Sequence, residues 1–200
     1  MQSSDESPYH HGNLRAALIA AADEVIAEKG IEGFSLREAA RRAGVTPGAP
    51  THHFGTAKGL LTEVALLGYA SLGAALNAAP ITNDPAADLR AQSLAYVGFA
   101  LAQAGRFRLM FRPDLVNRDD PRYAVAATAA LSGFAATIGR QNGGQGDAMA
   151  QVFVIWATVH GMANLALDGK AQYMFGGVTP QQFAGQILPD LLTKSWPYGR

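Results

Sequence analysis

Three helix starts and a glycine stop are crowded into the stretch from Ser35 to Lys58, SLREAARRAGVTPGAPTHHFGTAK, so any fold must join short helices closely there. Ser35-Leu36-Arg37-Glu38 has the form of a capping box, with the Ser35 hydroxyl accepting from the Glu38 amide and the Glu38 carboxylate reaching back. Leu36, Ala39, Ala40 and Ala43 then recur at helical spacing, with Arg37, Arg41 and Arg42 on the other side. Gly44 suits the left-handed residue that ends a helix, and Val45 follows it toward the core. Thr46-Pro47 offers a hydroxyl cap and a first-turn proline for a second helix. Helix, glycine turn and short helix are the parts of a helix-turn-helix, whose second helix enters a DNA major groove.

The residues of that second helix suit close approach to a duplex. Thr46, Pro47, Gly48, Thr51, His52 and His53 are small or polar, while Phe54 is the apolar anchor. Thr56-Ala57-Lys58 opens a third helix, whose free amides, dipole and lysine would share a phosphate. With Ser35 and Arg37 at the start of the first helix and Thr56 and Lys58 at the start of the third, these form the expected DNA-facing set.

FSLREAARRAGVTPGAPTHHFGTAKGLL, within the run from Leu14 to Leu61, resembles the DNA-binding domain of the TetR family of transcriptional regulators. Downstream, FRLMF at 107–111 and WATVHGMANLALDG at 156–169 resemble the C-terminal domain of a TetR subfamily named for a Trp-His-Gly pattern, here Trp156, His160 and Gly161. The resemblance implies an all-α protein of about nine helices, with a three-helix DNA-binding head and a helical regulatory and dimerisation domain. It implies a double-stranded DNA operator, a small-molecule effector and a homodimer formed through helices at about 147–168 and 180–195. Repression is the outcome the family habit implies. Many relatives carry Leu-Tyr where this chain has Pro50-Thr51, and that tyrosine usually touches the phosphate backbone. Pro50 would be the fourth residue of a helix begun at Pro47, straining it by up to about 3 kcal/mol. A distorted or late-starting recognition helix is therefore expected.

Lys plus Arg equals Asp plus Glu at 16 each, so net charge does not point to nucleic acid and local arrangement must carry that reading. There is no cysteine, which excludes disulfides and thiolate metal sites. No secretory leader and no apolar span of membrane length are read, so a cytoplasmic protein without membrane contact is expected. No cofactor or metal is expected either.

Residues 1–11 read as a disordered arm, and Leu14 to Gly30 as an amphipathic helix. The head occupies 12–58, a bridging helix 59–79, and the effector-binding and dimerisation domain 80–200. Asp84-Pro85, Asp120-Pro121 and Thr179-Pro180 each read as a cap followed by a first-turn proline. Gly105 is expected to break one helix; Gly143, Gly144 and Gly146 are expected to form a flexible turn, and Pro189 to kink the last helix. Met149 to Asp168 is apolar nearly all round, which calls for burial on several sides.

No nucleophile motif, phosphate loop or His-x-x-x-His spacing is present, so no catalytic residue is expected and the chain is not read as an enzyme. Trp156 and His160, four apart, share a helix face. The aromatic and Met cluster is core by default, but part of such a core becomes a cavity in a small-molecule sensor. The effector-contacting set expected is Phe99, Gln103, Met110, Phe111, Trp156, His160 and Asn164. The rival reading is a helical small-molecule-binding protein that no longer contacts DNA.

Overall fold

The computed structural model describes residues 8–141, 143 and 148–195, excepting the side chains of 8–13 and 195. It is all-helical among the described residues. The helices are α1 (Pro8–Lys29), α2 (Leu36–Arg42), α3 (Ala49–Phe54), α4 (Ala57–Asn77), α5 (Pro85–Ala102), α6 (Ala104–Met110), α7 (Pro121–Ala130), α8 (Ser132–Gln141), α9 (Ala148–Leu167) and α10 (Lys170–Met174). A last run, α11, joins an α turn (Pro180–Gln182), a π turn (Phe183–Ile187) and an α segment (Leu188–Ser195). α1 begins at Pro8, inside the stretch read as an arm; the rest of that arm, and Gly144 and Gly146 of the expected turn, lie outside the described residues.

The chain divides into two compact units. The first comprises residues 1–68 and 105–123. Its core is Leu18, Ala22, Val25 and Ile26 of α1, Ala39 and Ala40 of α2, Leu60 and Val64 of α4, and Phe107, Leu109 and Met110 of α6. α1 packs on α2, and α2 on α3. The segment 105–123 is fastened to the rest of this unit by polar pairs: Arg106 with Asp23, Arg112 with Glu32 (3.1 Å), and Arg122 with Glu63 (2.6 Å). Glu63 also pairs with Arg15 at 2.7 Å.

The second unit comprises residues 69–104 and 124–200. In it α5 packs against α8 and α9, and α10 against α9. Tyr96, Phe134, Ile138, Ile155, Val159 and Leu188 are fully buried or within a per cent of it. Asp84 caps α5 through bonds from the Ala86 and Ala87 amides (3.0 and 3.1 Å). Near that cap the buried Asp88 carboxylate accepts from the Thr82 hydroxyl (2.7 Å), the Thr82 amide (2.9 Å) and Arg140 (2.7 Å). Burial raises its pKa, but these donors outweigh burial and hold it below the ordinary carboxylate range.

Three expectations need correction. There are eleven helical runs among the described residues rather than about nine; the run that Asp120-Pro121 opens divides at Leu131, and a short α10 follows α9. The division coincides with close packing at Gly133, where a Cβ would lie 3.3 Å from both Asn77 Oδ1 and Gln92 Nε2. Gly105 does not stop a helix; the break falls at Gln103 (φ −128°, ψ 49°). Gly105 lies within α6, where a Cβ would sit 2.7 Å from the Ile26 carbonyl, so its role is close approach to α1. Finally, α4 and α9 are both long and apolar enough to cross a membrane by length and composition, contrary to the reading that no stretch is. α9 carries no charged residue, and its burial is one-sided: Phe153 is 62% and Met149 70% exposed.

At Pro189 the helical run continues without a break. The π turn over Phe183–Ile187 precedes it and contains Gly185, four residues before the proline, so the ladder widens where the missing amide would have bonded.

Candidate nucleic-acid interface and effector site

Ser35 caps α2 as its sequence requires, its hydroxyl accepting from the Glu38 amide at 3.2 Å. The reciprocal half of the box is not made. The Glu38 carboxylate instead accepts from Arg41 (2.9 Å), Lys29 (3.0 Å) and Arg42 (3.2 Å), which together hold it far below its ordinary pKa. Three cations attract a carboxylate more strongly than one backbone amide does. Arg42 is also tied to Glu28 at 2.5 Å. Arg41 and Arg42 are thus compensated, while the exposed Arg37 side chain makes no hydrogen bond or ion pair among the described residues. Ser35, Arg37, Glu38, Arg41, Val45 and Pro47 line an open cleft of about 380 Å³.

Gly44 adopts φ 69°, and the Val45 amide returns to the Ala40 carbonyl at 3.0 Å, closing α2. Thr46 and Pro47 do not open the next helix. They form a turn closed by the Ala49 amide on the Thr46 carbonyl (3.0 Å), and α3 begins only at Ala49 with Gly48 as its cap. The late start places Pro50 at the second helical position, where its missing amide has no intrahelical partner to lose. The strain set by a helix begun at Pro47 is avoided. Pro50 is the buried residue of α3, and Phe54 is only half-buried, under the Arg15 guanidinium at 5.2 Å. Thr46, Pro47, Gly48, Thr51 and His52 are exposed; His53 is half-buried, edge-on to His52 at 5.4 Å.

Gly55 (φ 71°) turns the chain into α4, whose cap is Thr56: its hydroxyl accepts from the Gly59 amide at 3.2 Å. Lys58 is exposed and its ammonium, like the Arg37 guanidinium, makes no hydrogen bond or ion pair among the described residues. All ten expected DNA-facing residues therefore lie in the first unit, on α2, α3, the turn between them, and the start of α4.

The expected effector set is distributed less simply. Met110 and Phe111 belong to the first unit, with Phe111 edge-on to Phe107 at 5.2 Å. Phe99, Gln103, Trp156, His160 and Asn164 belong to the second. Within it Trp156 Nε1 donates to the Tyr96 hydroxyl at 3.1 Å, which lies 3.0 Å from His160 Nδ1. Indole nitrogen only donates, so the tyrosine oxygen accepts there, and its own proton is available to Nδ1 of a neutral His160 ring. Burial lowers the His160 pKa, consistent with the neutral ring. Burial likewise pushes the Tyr96 hydroxyl up, against the opposing effect of the Trp156 bond. The Asn164 amide is committed to the His160 carbonyl at 2.8 Å, and Phe99 and Met110 are buried as core.

Tyr96 is the residue that sequence reasoning missed. Its signal was its register on α5: Leu89, Ser93, Tyr96, Val97 and Ala100 share the buried face. A tyrosine in such a row needs a polar partner.

Residues 18–64 match the bacterial regulatory proteins of the tetR family, and residues 89–184 match the tetracyclin repressor-like, C-terminal domain. No curated protein matches. Among solved structures, a protein of unknown function from Rhodococcus sp. RHA1 is 31% identical, with a TM-score of 0.73 over 94% of this chain and 98% of that one. The TetR family transcriptional regulator PfmR from Thermus thermophilus is 21% identical, with a TM-score of 0.63 over 88% and 96%. A point variant of TetR from Acinetobacter baumannii AYE, solved in complex with minocycline, is 18% identical, with a TM-score of 0.61 over 88% and 90%. With its helix-turn-helix and its C-terminal helices each matched in order, this chain belongs to the TetR family of DNA-binding transcriptional regulators.

Proposed function

We propose that the chain is an operator-binding repressor that acts as a homodimer and releases DNA when a small molecule occupies its second unit. The observation that carries the DNA half is that Arg37 and Lys58, exposed at the starts of two helices of the first unit, make no hydrogen bond or ion pair among the described residues. The neighbouring cations Arg41, Arg42, Lys29 and Arg15 are by contrast paired internally. Ser35, Thr46, Pro47, Gly48, Thr51, His52, His53 and Thr56 complete the contact surface.

The dimer reading is supported by the exposed apolar face of α9. Met149, Phe153, Val154 and Leu165 lie open on a helix without a charge, and pairing with the same face of a second chain would bury them. The effector reading is supported by the Tyr96–Trp156–His160 array, a single fixed polar group set in an aromatic surround. The minocycline complex, of a distant protein with this fold, supports it further. Functionally we divide the chain into a head at 12–58, a bridging helix at 59–79 and an effector and dimerisation domain at 80–200. We assign the latter to the Trp-His-Gly subtype, and the protein to the cytoplasm, without enzymatic activity.

A gel shift of the purified chain on DNA from upstream of its own gene, at low and moderate salt, tests this reading. Retardation that weakens as salt rises is expected. No retardation at low salt would leave the rival reading, a helical binding protein that has lost DNA, in its place.

A further inference from the structure

We infer that the DNA-contacting surface extends beyond the amino-terminal head to Arg118, on the loop between α6 and α7. The inference rests on the operator-binding reading above. Residues 105–123 belong to the same compact unit as the helix-turn-helix, although most of α4 and all of α5 separate them from it in sequence. The loop is tied to the start of α4. The Asn117 amide donates to Thr62 Oγ1 at 2.8 Å, and the Thr62 hydroxyl donates to the Lys58 carbonyl at 2.7 Å. Four residues, about 6 Å along the helix axis, thus separate the anchor of the loop from Lys58. Asp114, earlier in the loop, has its carboxyl lowered by its bond to Arg112 and also by the charge of Lys58.

The pattern of ion pairs singles out Arg118. Arg106, Arg112 and Arg122 are each held by carboxylates, and Arg108 is engaged as well. Arg118 is exposed and its guanidinium makes no hydrogen bond or ion pair among the described residues, as is true of the side chains of Arg37 and Lys58. Its backbone is held on both sides, by the Asn117–Thr62 bond and by the Asp119 amide on Asn117 Oδ1 (3.2 Å). A long cationic side chain on a fixed backbone, one turn along α4 from the lysine assigned to a phosphate, has a neighbouring phosphate as its natural partner. The adjacent Asp119 carboxylate offsets part of that field, so the contribution is a single contact.

The test compares the full-length wild type with Arg118→Ala, Arg118→Lys and Lys58→Ala, on upstream duplex and on a scrambled duplex across a salt series. Arg118→Ala is expected to lower the slope of log affinity against log salt by about 0.9, on both duplexes alike, with the melting temperature unchanged. Arg118→Lys should keep the wild-type slope. If Lys58→Ala lowers the slope and Arg118→Ala leaves it at the wild-type value, the inference is overturned while operator binding stands. If the wild type itself binds neither duplex, both fall.

Discussion

Lys58 and Asp88 show how differently a charge can be used in this chain. Lys58 is exposed and its ammonium makes no hydrogen bond or ion pair among the described residues. Lys58→Ala should weaken binding to every duplex and flatten the salt slope by about one charge. His52→Ala, by contrast, should change which sequence is preferred, and a selection from random duplexes reads that directly. Asp88 is buried and bonded to Thr82 and Arg140. Its folded pKa lies below the unfolded value of about 4, so its stabilisation is complete above that pH and is lost as pH falls through the folded pKa. Melting followed from pH 7 to pH 3 should fall less steeply in Asp88→Asn than in the wild type. Arg140→Ala, which strips a charged donor from that buried carboxylate, should cost about 1.5–3 kcal/mol. At this scale the caps were legible, since Ser35, Asp84, Thr56 and Thr179 act locally. The other half of the Ser35 box was not, because Lys29, which joins the local Arg41 and Arg42 on Glu38, approaches only once α1 and α2 are packed. Tyr96 was missed for the same reason: its partners lie sixty or more residues away.

Among the elements, glycine carries two opposite meanings. Gly105 lets α6 lie against α1, and a methyl there would fall 2.7 Å from backbone and side-chain atoms of Ile26. Gly105→Ala should cost about 1–3 kcal/mol through overpacking. Gly98, mid-way along α5, faces open space, so Gly98→Ala should gain about 0.5–1 kcal/mol from helix propensity alone. Denaturant titration of both variants checks the contrast. Sequence alone could not separate these two glycines, because the distinction is made by what lies opposite. The late start of α3 was legible, since Pro50 tolerates only a first-turn position. The π turn in α11 was half legible: the proline announced a disturbance of the ladder, but not that it would take the form of a π turn with Phe183 buried.

For the whole molecule, the order of helices and the position of the head were written in hydrophobic spacing and punctuation, whereas the grouping of residues 105–123 with the head was not. That grouping comes from burial of Phe107, Leu109 and Met110 in the core of the first unit, together with Arg106, Arg112, Asn117 and Arg122 finding partners on α1, on Glu32 and on α4. α9 poses the complementary problem. Its composition called for burial on several sides, and one chain supplies burial on one. Phe153→Glu, placing a charge on the open face, should convert a dimer to a monomer by light scattering and lower operator affinity by about 100-fold through loss of the second head. The most direct measurement is sedimentation of the full chain with a labelled duplex from upstream of its own gene, at about 50 mM salt and then rising. Two chains should travel with each duplex at low salt and separate from it as salt increases; protein and duplex sedimenting independently at the lowest salt would contradict the account.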